Sequence, residues 1–439
     1  MALGGGTFLT QNKSLPGSYI NFVSAARASA TLSERGYVAM PLSLDWGAAD
    51  DIVTLEAADF GKEAMKLFGY SPDAPQLQPI REVLRHAKTV YFYRLNGGTK
   101  AEKTEGSVTI TAKHSGVRGN HLKVGIVQNA DDNTLFEVST YVDTKKVDTQ
   151  IVSTIDALVD NDYVMFSGTG APTASAGITL EGGTNKAAVD ADDYQTFLNK
   201  AEAYAFNTLA CPSATPAIIS LFVEYTKRMR EENGIKFQTV VYRSAADHEG
   251  VISVENTVKG EQVNAASLVY WTAGVTAACA INQSNSNTTY DGEYDIDVDY
   301  TQSELAKGLK EGKFLFHKVG DKVNILDDIN TFVSVTPDKN EDFSSNQVVR
   351  VLDQVANDTA VLFNQQYLGK VQNNDTGRSL FWNELVTYFK QLQNINAIEA
   401  FQAEDIVVEQ GADKKSISVS NSITPTAAMT KCYMTVVVQ

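Results

Sequence analysis

The texture of this chain changes at Asn96-Gly97-Gly98 and changes back near Glu181-Gly-Gly-Thr184. Before the first break, helix-period and strand-like runs alternate. Residues 36–40 read as a buried strand stopped by Pro41. Thr54 reads as the N-cap of a helix that carries Leu55, Ala58, Met65 and Phe68 on one face and ends near Gly69. A second helix over 77–86 and a strand over 89–95 follow. After the second break the alternation resumes: helix 192–203, strand 206–210, helix 218–232, strand 236–242, and a helix over 268–281 built of small residues. Strands at 313–319 and 323–326 complete the set. Between the breaks the text is rich in Thr, Val, Ser and Gly. It offers strands at 108–112, 121–128, 135–142 and 163–167 and one short helix at 154–159. Strand–helix–strand order makes a sheet covered by helices. An interruption that is nearly all β is then a second domain inserted into the first.

The last hundred or so residues have another pattern. Two amphipathic helices, 348–371 and 380–398, are joined through Asn373-Asn-Asp-Thr-Gly377. A hairpin of 405–409 with 414–420 turns around Gln410-Gly411-Ala412, and a last strand, 431–438, follows Thr424-Pro425. At the other end the turn signal Pro16-Gly17 precedes the strand-like Tyr19, Ile20, Asn21, Phe22 and Val23. No solenoid repeat is present. The expected class is α+β, with a discontinuous α/β core (24–98 with 186–345), an inserted β-sandwich (99–185), and a C-terminal domain of two helices and a β-hairpin (346–425). Terminal arms, 1–23 and 426–439, flank them with strands to exchange.

Charge excludes some partners. With 37 Lys and Arg against 53 Asp and Glu, the net charge of −16 repels nucleic acid and anionic membranes. The three cysteines, Cys211, Cys279 and Cys432, form no C-x-x-C pair, so free thiols in a cytoplasmic setting are expected. No signal peptide or membrane-spanning run is read, and lysis would suit release better than secretion.

The segments that invite a chemical reading have simpler ones. Gly116-Val-Arg-Gly-Asn120 lacks the Lys-Ser/Thr of a phosphate loop and reads as a β-turn inside the sandwich. Asp295, Asp297 and Asp299 fail the calcium-loop pattern at Tyr300 and Ala306, and read as the acidic face of a strand. His86, His114, His121, His248 and His317 are scattered and have no convergent ligands. Ser244 with Asp247-His248-Glu249 has no nucleophile elbow and reads as a loop. Lys227, Arg228 and Arg230 read as a solvated helix end that complements the helix dipole. The sequon Asn287-Thr-Thr289 carries no weight without secretion. No catalytic, cofactor or metal site is expected.

Several of these segments together resemble the contractile-tail sheath family. Leu15-Pro-Gly-Ser-Tyr-Ile20 is similar to its N-terminal strand. Arg35-Gly-Tyr-Val-Ala-Met-Pro-Leu42, with Asp45-Trp46-Gly47, is similar to its first core strand and loop. Gly116-Val-Arg-Gly-Asn120 with Leu122-Lys-Val124 resembles a signature of its inserted sandwich. Asp328-Ile-Asn-Thr-Phe-Val333, preceded by Ala273-Gly274, resembles its Ile-Asn-Thr core motif, and Tyr433-Met-Thr-Val-Val-Val438 its C-terminal strand. The order holds over nearly the whole chain, and the text is most similar to the compact sheaths of Gram-positive phages and phage-tail bacteriocins.

The resemblance implies a structural subunit without cofactor that stacks as six-fold rings around an inner tail tube. Baseplate and tail-terminator proteins are the implied further partners. It would be assembled in the host cytoplasm, reside in the virion tail or a headless particle, and contract to drive the tube through an envelope. It makes no direct contact with nucleic acid and inserts in no membrane. The residues implied in strand exchange are Tyr19, Ile20, Asn21, Phe22 and Val23 and Tyr433, Met434, Thr435, Val436, Val437 and Val438 as visiting strands. Ile406, Val407, Val408, Ile417 and Val419 would lie on the receiving hairpin. An α/β hydrolase or transferase lacks its acid, base and nucleophile here, and another virion protein, tube or capsid, fits the C-terminal helices less well.

Overall fold

The computed structural model describes residues 32–260 and 263–438. Tyr19 to Val23 therefore lie outside the described residues.

The chain opens with β1 (Tyr37–Leu42), β2 (Val53–Glu56), α1 (Phe60–Phe68), α2 (Gln78–Leu84) and β3 (Thr89–Arg94). Two expectations change here. Thr54 does not cap a helix: it sits within β2, a short β-branched run paired antiparallel to β3, and α1 begins after Asp59. Gly69 closes α1 in the left-handed region at φ 72°, with its N–H bonded to Met65 O. Pro41 does not stop β1, which runs on to Leu42. Tyr37 O accepts from Asn207 N on one side and Leu42 O from Leu95 N on the other, so odd residues of β1 face one neighbour and even residues the other. Pro41 faces the strand that ends at Ala210, level with Met40, so its missing N–H breaks no ladder bond.

The inserted segment forms β4 (Lys100–Glu105), β5 (Val108–Ser115), β6 (Leu122–Gln128), β7 (Phe136–Val142), β8 (Lys145–Val152), β9 (Val164–Gly168) and β10 (Ser175–Thr179). They make two sheets, β10-β6-β7-β8 and β4-β5-β9. Val108, Ile110 and Ala112 from one sheet and Val124, Ile126 and Val138 from the other close a buried core. Trp46, from the loop after β1, is buried in that same core and plugs the sandwich from the first domain. Residues 154–159 hold only a 3₁₀ turn, Ile155–Ala157.

The second half supplies α3 (Ala191–Ala201), β11 (Thr208–Ala210), α4 (Pro216–Glu231), β12 (Gln238–Tyr242), β13 (Val251–Val254), α5 (Leu268–Ala278), α6 (Gln302–Lys310), β14 (Lys313–Phe314), β15 (Phe316–Val319) and β16 (Lys322–Ile325). One seven-stranded sheet results, in the order β14-β13-β12-β11-β1-β3-β2, parallel throughout except for β2. Alternation along the strands divides two hydrophobic layers. Val38, Met40 and Phe92 face α1, α2 and α5, while Ala39, Leu209 and Val241 face α3 and α4. α5 is buried along nearly its whole length. A Cβ on Gly274 would stand 2.5 Å from Val83 O, so only glycine lets α5 lie this close to α2. Asp295 to Tyr300 alternate in burial but make no named strand. Ile296 forms an isolated bridge to Val258, and Lys259 sits between Asp297 and Asp299.

The C-terminal part contains α7 (Asn346–Leu362), α8 (Asp375–Asn394), β17 (Ile406–Gln410) and β18 (Ile417–Asn421). The helix expected over 348–371 is shorter: after Leu362 it widens into a π-helical turn, Phe363–Tyr367, whose rings both pack on Phe381 of α8. α8 starts earlier than expected because Asn374 caps it, accepting from Gly377 N. Residues 431–438 join no ladder in the single chain.

Candidate assembly surface

Three junctions decide what this molecule can do mechanically. At the first, Arg118 of the Gly116-to-Asn120 motif is buried. This motif is no β-turn inside the sandwich. It forms a 3₁₀ turn, Val117–His121, at the seam between the two domains. Arg118 Nε donates to Gly69 O at 2.8 Å, its Nη1 and Nη2 donate to the Asp143 carboxylate at 3.0 and 2.6 Å, and the guanidinium lies over the Tyr70 ring at 4.5 Å. Arg118 holds the Asp143 carboxyl below its ordinary range. Arg94 works alongside it, donating to Leu44 O, Gly47 O and Ser115 O, so the loop after β1 and the end of β5 share one buried cation. Burial pulls Arg94 down to about 10.

At the second junction α7 is fastened to the large sheet. Arg230 was expected at a solvated helix end, but it is buried: its Nη1 and Nη2 donate to the Asp353 carboxylate at 2.6 and 2.7 Å. Burial opposes the charge on Arg230, and the Asp353 carboxylate outweighs it, so the pKa is raised. Its neighbours behave as surface cations, with Arg228 on Glu202 and Lys227 on Glu224. Arg350 Nη2 donates to Asp328 Oδ2 at 2.6 Å. Asp328 opens the Ile-Asn-Thr motif, and each polar residue of that motif makes a cross-link. Asn346 Nδ2 donates to Asp328 Oδ1, Asn330 Nδ2 to Phe343 O, and Thr331 Oγ1 to His248 O. Asp358 accepts from Tyr388 Oη of α8, from Gln354 Nε2, and from the Ser33 hydroxyl. Ion pairs at Asp353 and Asp328 and hydrogen bonds at Asp358 offset part of the desolvation of these charges.

The third junction is the hairpin with the chain end. Ile406 is buried against α8, Trp382 Nε1 donates to Ile406 O at 3.0 Å, and Val408 and Ile417 pack on the same core. Val407 and Val419 are exposed. Val408 pairs with Val419 across the ladder, so β18 carries the apolar face of the hairpin out past its cover. The sheet has only these two strands among the described residues, which leaves one edge of each outside a ladder. The chain end is tied down as far as Ala428. Glu399 N donates to Thr424 O, Thr426 N to Ala397 O, and Ala428 N to Gln347 Oε1 at 2.9 Å. Beyond it Tyr433, Met434, Val436, Val437 and Val438 are each at least 71% exposed. Thr435 is exposed between them.

Cys432, at the base of that run, is exposed, while Cys211 and Cys279 are buried. Burial pushes the Cys211 thiol up to about 12. Among the described residues no group of three His, Cys, Asp or Glu stands close enough to hold a metal, and no helix is long and apolar enough to cross a membrane. His248 is buried in the loop after β12, with its Nδ1 accepting from Gly250 N and its Nε2 beside Glu231. Ser244 N donates to Ser253 Oγ, and nothing in the loop assembles a nucleophile with a base.

Sequence reading located the hairpin but missed the four buried arginines, Arg94, Arg118, Arg230 and Arg350, that weld the parts together. Arg118 had one signal, its place in the Gly116-to-Asn120 motif. The charged text around Arg230 looks like any helix end.

Comparison with known proteins follows the same divisions. Residues 35–95 match the description "tail sheath protein Gp18 domain III N-terminal region" and residues 96–186 "phage tail sheath protein beta-sandwich domain". Residues 187–331 match "phage tail sheath protein central domain" and residues 338–439 "phage tail sheath C-terminal domain". The phage-like element PBSX protein XkdK of Bacillus subtilis is 35% identical over 99% of both chains. The crystal structure of a sheath tail protein from Desulfitobacterium hafniense is 40% identical, covers 93% of this chain and 96% of its own, and superposes with a TM-score of 0.83. The contracted helical sheath of the anti-feeding prophage, solved by cryo-EM, shares the fold alone: 12% identity, 96% of this chain, 99% of its own and a TM-score of 0.56. With its sandwich, core and C-terminal segments each matched in order, the chain belongs to the phage tail sheath protein family, and it is a structural subunit, not an enzyme.

Proposed function

We propose that this subunit polymerises into six-fold rings stacked helically around an inner tail tube, and that neighbouring copies are joined by strands added to the β17–β18 hairpin. The visiting strands are residues 432–438 of one neighbour and Tyr19, Ile20, Asn21, Phe22 and Val23 of another. The receiving edges are those of Ile406, Val407 and Val408 and of Ile417 and Val419. The observation that carries the reading is the pairing of an open two-stranded hairpin with an exposed apolar chain end in the same domain.

Magnitudes favour a cooperative assembly. Full burial of each apolar arm side chain contributes about 1.5–3 kcal/mol. Ordering the backbone costs roughly 1–2 kcal/mol per residue. A single arm therefore binds only marginally, and rings in which every arm is engaged are needed for stability. Contraction then proceeds as rigid bodies turning about the arms. The buried pairs Arg230–Asp353 and Arg350–Asp328 support this, because they lock the C-terminal helices to the sheet. The stored energy is the difference between subunit interfaces before and after contraction. A baseplate at one end, a tail terminator at the other and the tube inside are the partners such a particle needs, in a virion tail or a headless phage-like particle assembled in the host cytoplasm.

Deleting residues 431–439 tests the reading. The truncated chain is expected to keep its melting temperature and remain monomeric under conditions where the full chain forms ring-striated tubes by electron microscopy. Tubes from the truncated chain would contradict the arm role.

A further inference from the structure

A small polar cavity of about 40 Å³ lies in the joint between the large sheet and α7. Its wall includes Arg35 ahead of β1, Lys236 ahead of β12, and Arg350 and Asp353 of α7. Arg350 is 1% exposed, and its Nη2 is spent on Asp328 and on Gln283 O. Its Nε and Nη1 are buried with no hydrogen-bond partner among the described residues. A charged donor in that position is costly unless something in the cavity accepts from it.

The wall's own carboxylate does not supply the acceptor. Asp353 accepts from Arg230 through both oxygens and makes no hydrogen bond to Arg350. Among the described residues Arg35 bonds to carbonyls alone, Cys279 O at 2.9 Å and Thr276 O at 3.3 Å. The Lys236 ammonium donates to Arg230 O. Arg35 and Arg350 are neighbouring like charges, and Arg35 makes no ion pair with a described carboxylate. We propose that this cavity is a binding site for a small inorganic anion of the chloride class, accepting from Nε and Nη1 of Arg350 and neutralising the Arg35–Arg350 pair. The like charges already strain each other: burial first, then Arg350, pulls Arg35 down to about 10. The room is right for one such ion with at most a water or two. An anion there would fasten α7 to the sheet by filling a gap that no described residue fills.

Crystals of the full chain grown with bromide in place of chloride give the direct test. An anomalous bromine peak beside Arg350 is the expected result; a cavity holding water only overturns the proposal. In solution, the melting temperature is expected to be about 4 °C higher in chloride than in gluconate at equal ionic strength. Equal melting temperatures in the two salts overturn it as well. Asn207 also lines the cavity and accepts from Gly36 N and Tyr37 N through Oδ1, bonds that a carboxylate keeps. The N207D variant therefore brings its own anion. It is expected to be insensitive to chloride, and an undiminished chloride effect in that variant would count against the site.

Discussion

Arg230 and Asp353 lie 123 residues apart in sequence and form a two-bond ion pair in the interior, closing α7 onto the end of α4. Few contacts in the molecule bear more on its behaviour as one mechanical piece. Removing Asp353 leaves a buried guanidinium without the carboxylate bonded to it, so D353A is expected to lose about 3–5 kcal/mol of stability. Replacing both partners by apolar residues, R230M with D353L, should recover most of that loss. Denaturant titration of the three variants measures both effects; an additive double mutant would show that the pair does not act as a unit.

The seam between core and sandwich depends on a glycine. Gly116 has φ +125°, and a Cβ there would stand 2.0 Å from Asp45 O. G116A is expected to cost about 1–3 kcal/mol from backbone strain alone, and more where the Asp45 loop is displaced. The distinguishing readout is limited proteolysis: cleavage should rise at the two connections near residues 97 and 184, while the isolated sandwich stays protected.

His114 of β5 packs edge-on against Trp46 with ring centroids 5.3 Å apart. Burial, helped by Lys100, Lys113 and Arg94 and opposed by Asp162, lowers its pKa from 6.5 to about 4. Between those values the unfolded chain binds a proton that the folded chain does not, so stability falls as pH drops through that window and the loss levels off below about 4. The H114Q variant should show a flatter stability profile over the same window. An unchanged profile would place the acid sensitivity elsewhere.

The exposed end of the chain separates folding from assembly. Val436 is 71% exposed and bonded to nothing among the described residues. V436P removes one backbone donor and fixes one φ, changes that matter only if the residue enters a ladder. The melting temperature is expected to stay within about 1 °C, since the residue is largely exposed and sits in no ladder. Tube formation, followed by light scattering, should drop sharply. Normal assembly of V436P would mean that the arm does not pair as a strand.

Much of the fold was legible because its signals are local and repeat. Gly69 ending α1, the small residues of α5 and the turn at Gly411 each carry one physical meaning, and the structure uses them that way. Some signals were present and passed over. Thr301 and Glu304 form a complete capping box that announces α6, and the short run at Val251–Val254 is a buried strand of the parallel sheet. Thr54 and Pro41 misled because their usual roles, cap and breaker, were overridden by pairing with β3 and by a neighbour strand that ends early. The buried ion pairs were not legible at all. Nothing local to Arg230 says that Asp353 will reach it, since that contact exists only once α7 has docked. The last strand read over 431–438 joins no ladder in the single chain, and a strand needs one.

The most direct test of the arm exchange is a cryo-EM reconstruction of assembled tubes, resolved well enough to trace the backbone around β17 and β18. The account predicts a widened sheet in which residues 432–438 of a neighbouring copy are hydrogen-bonded along an edge of that hairpin, with Val436 buried. Tubes in which the hairpin keeps only its own two strands, and the chain end lies elsewhere, would contradict it.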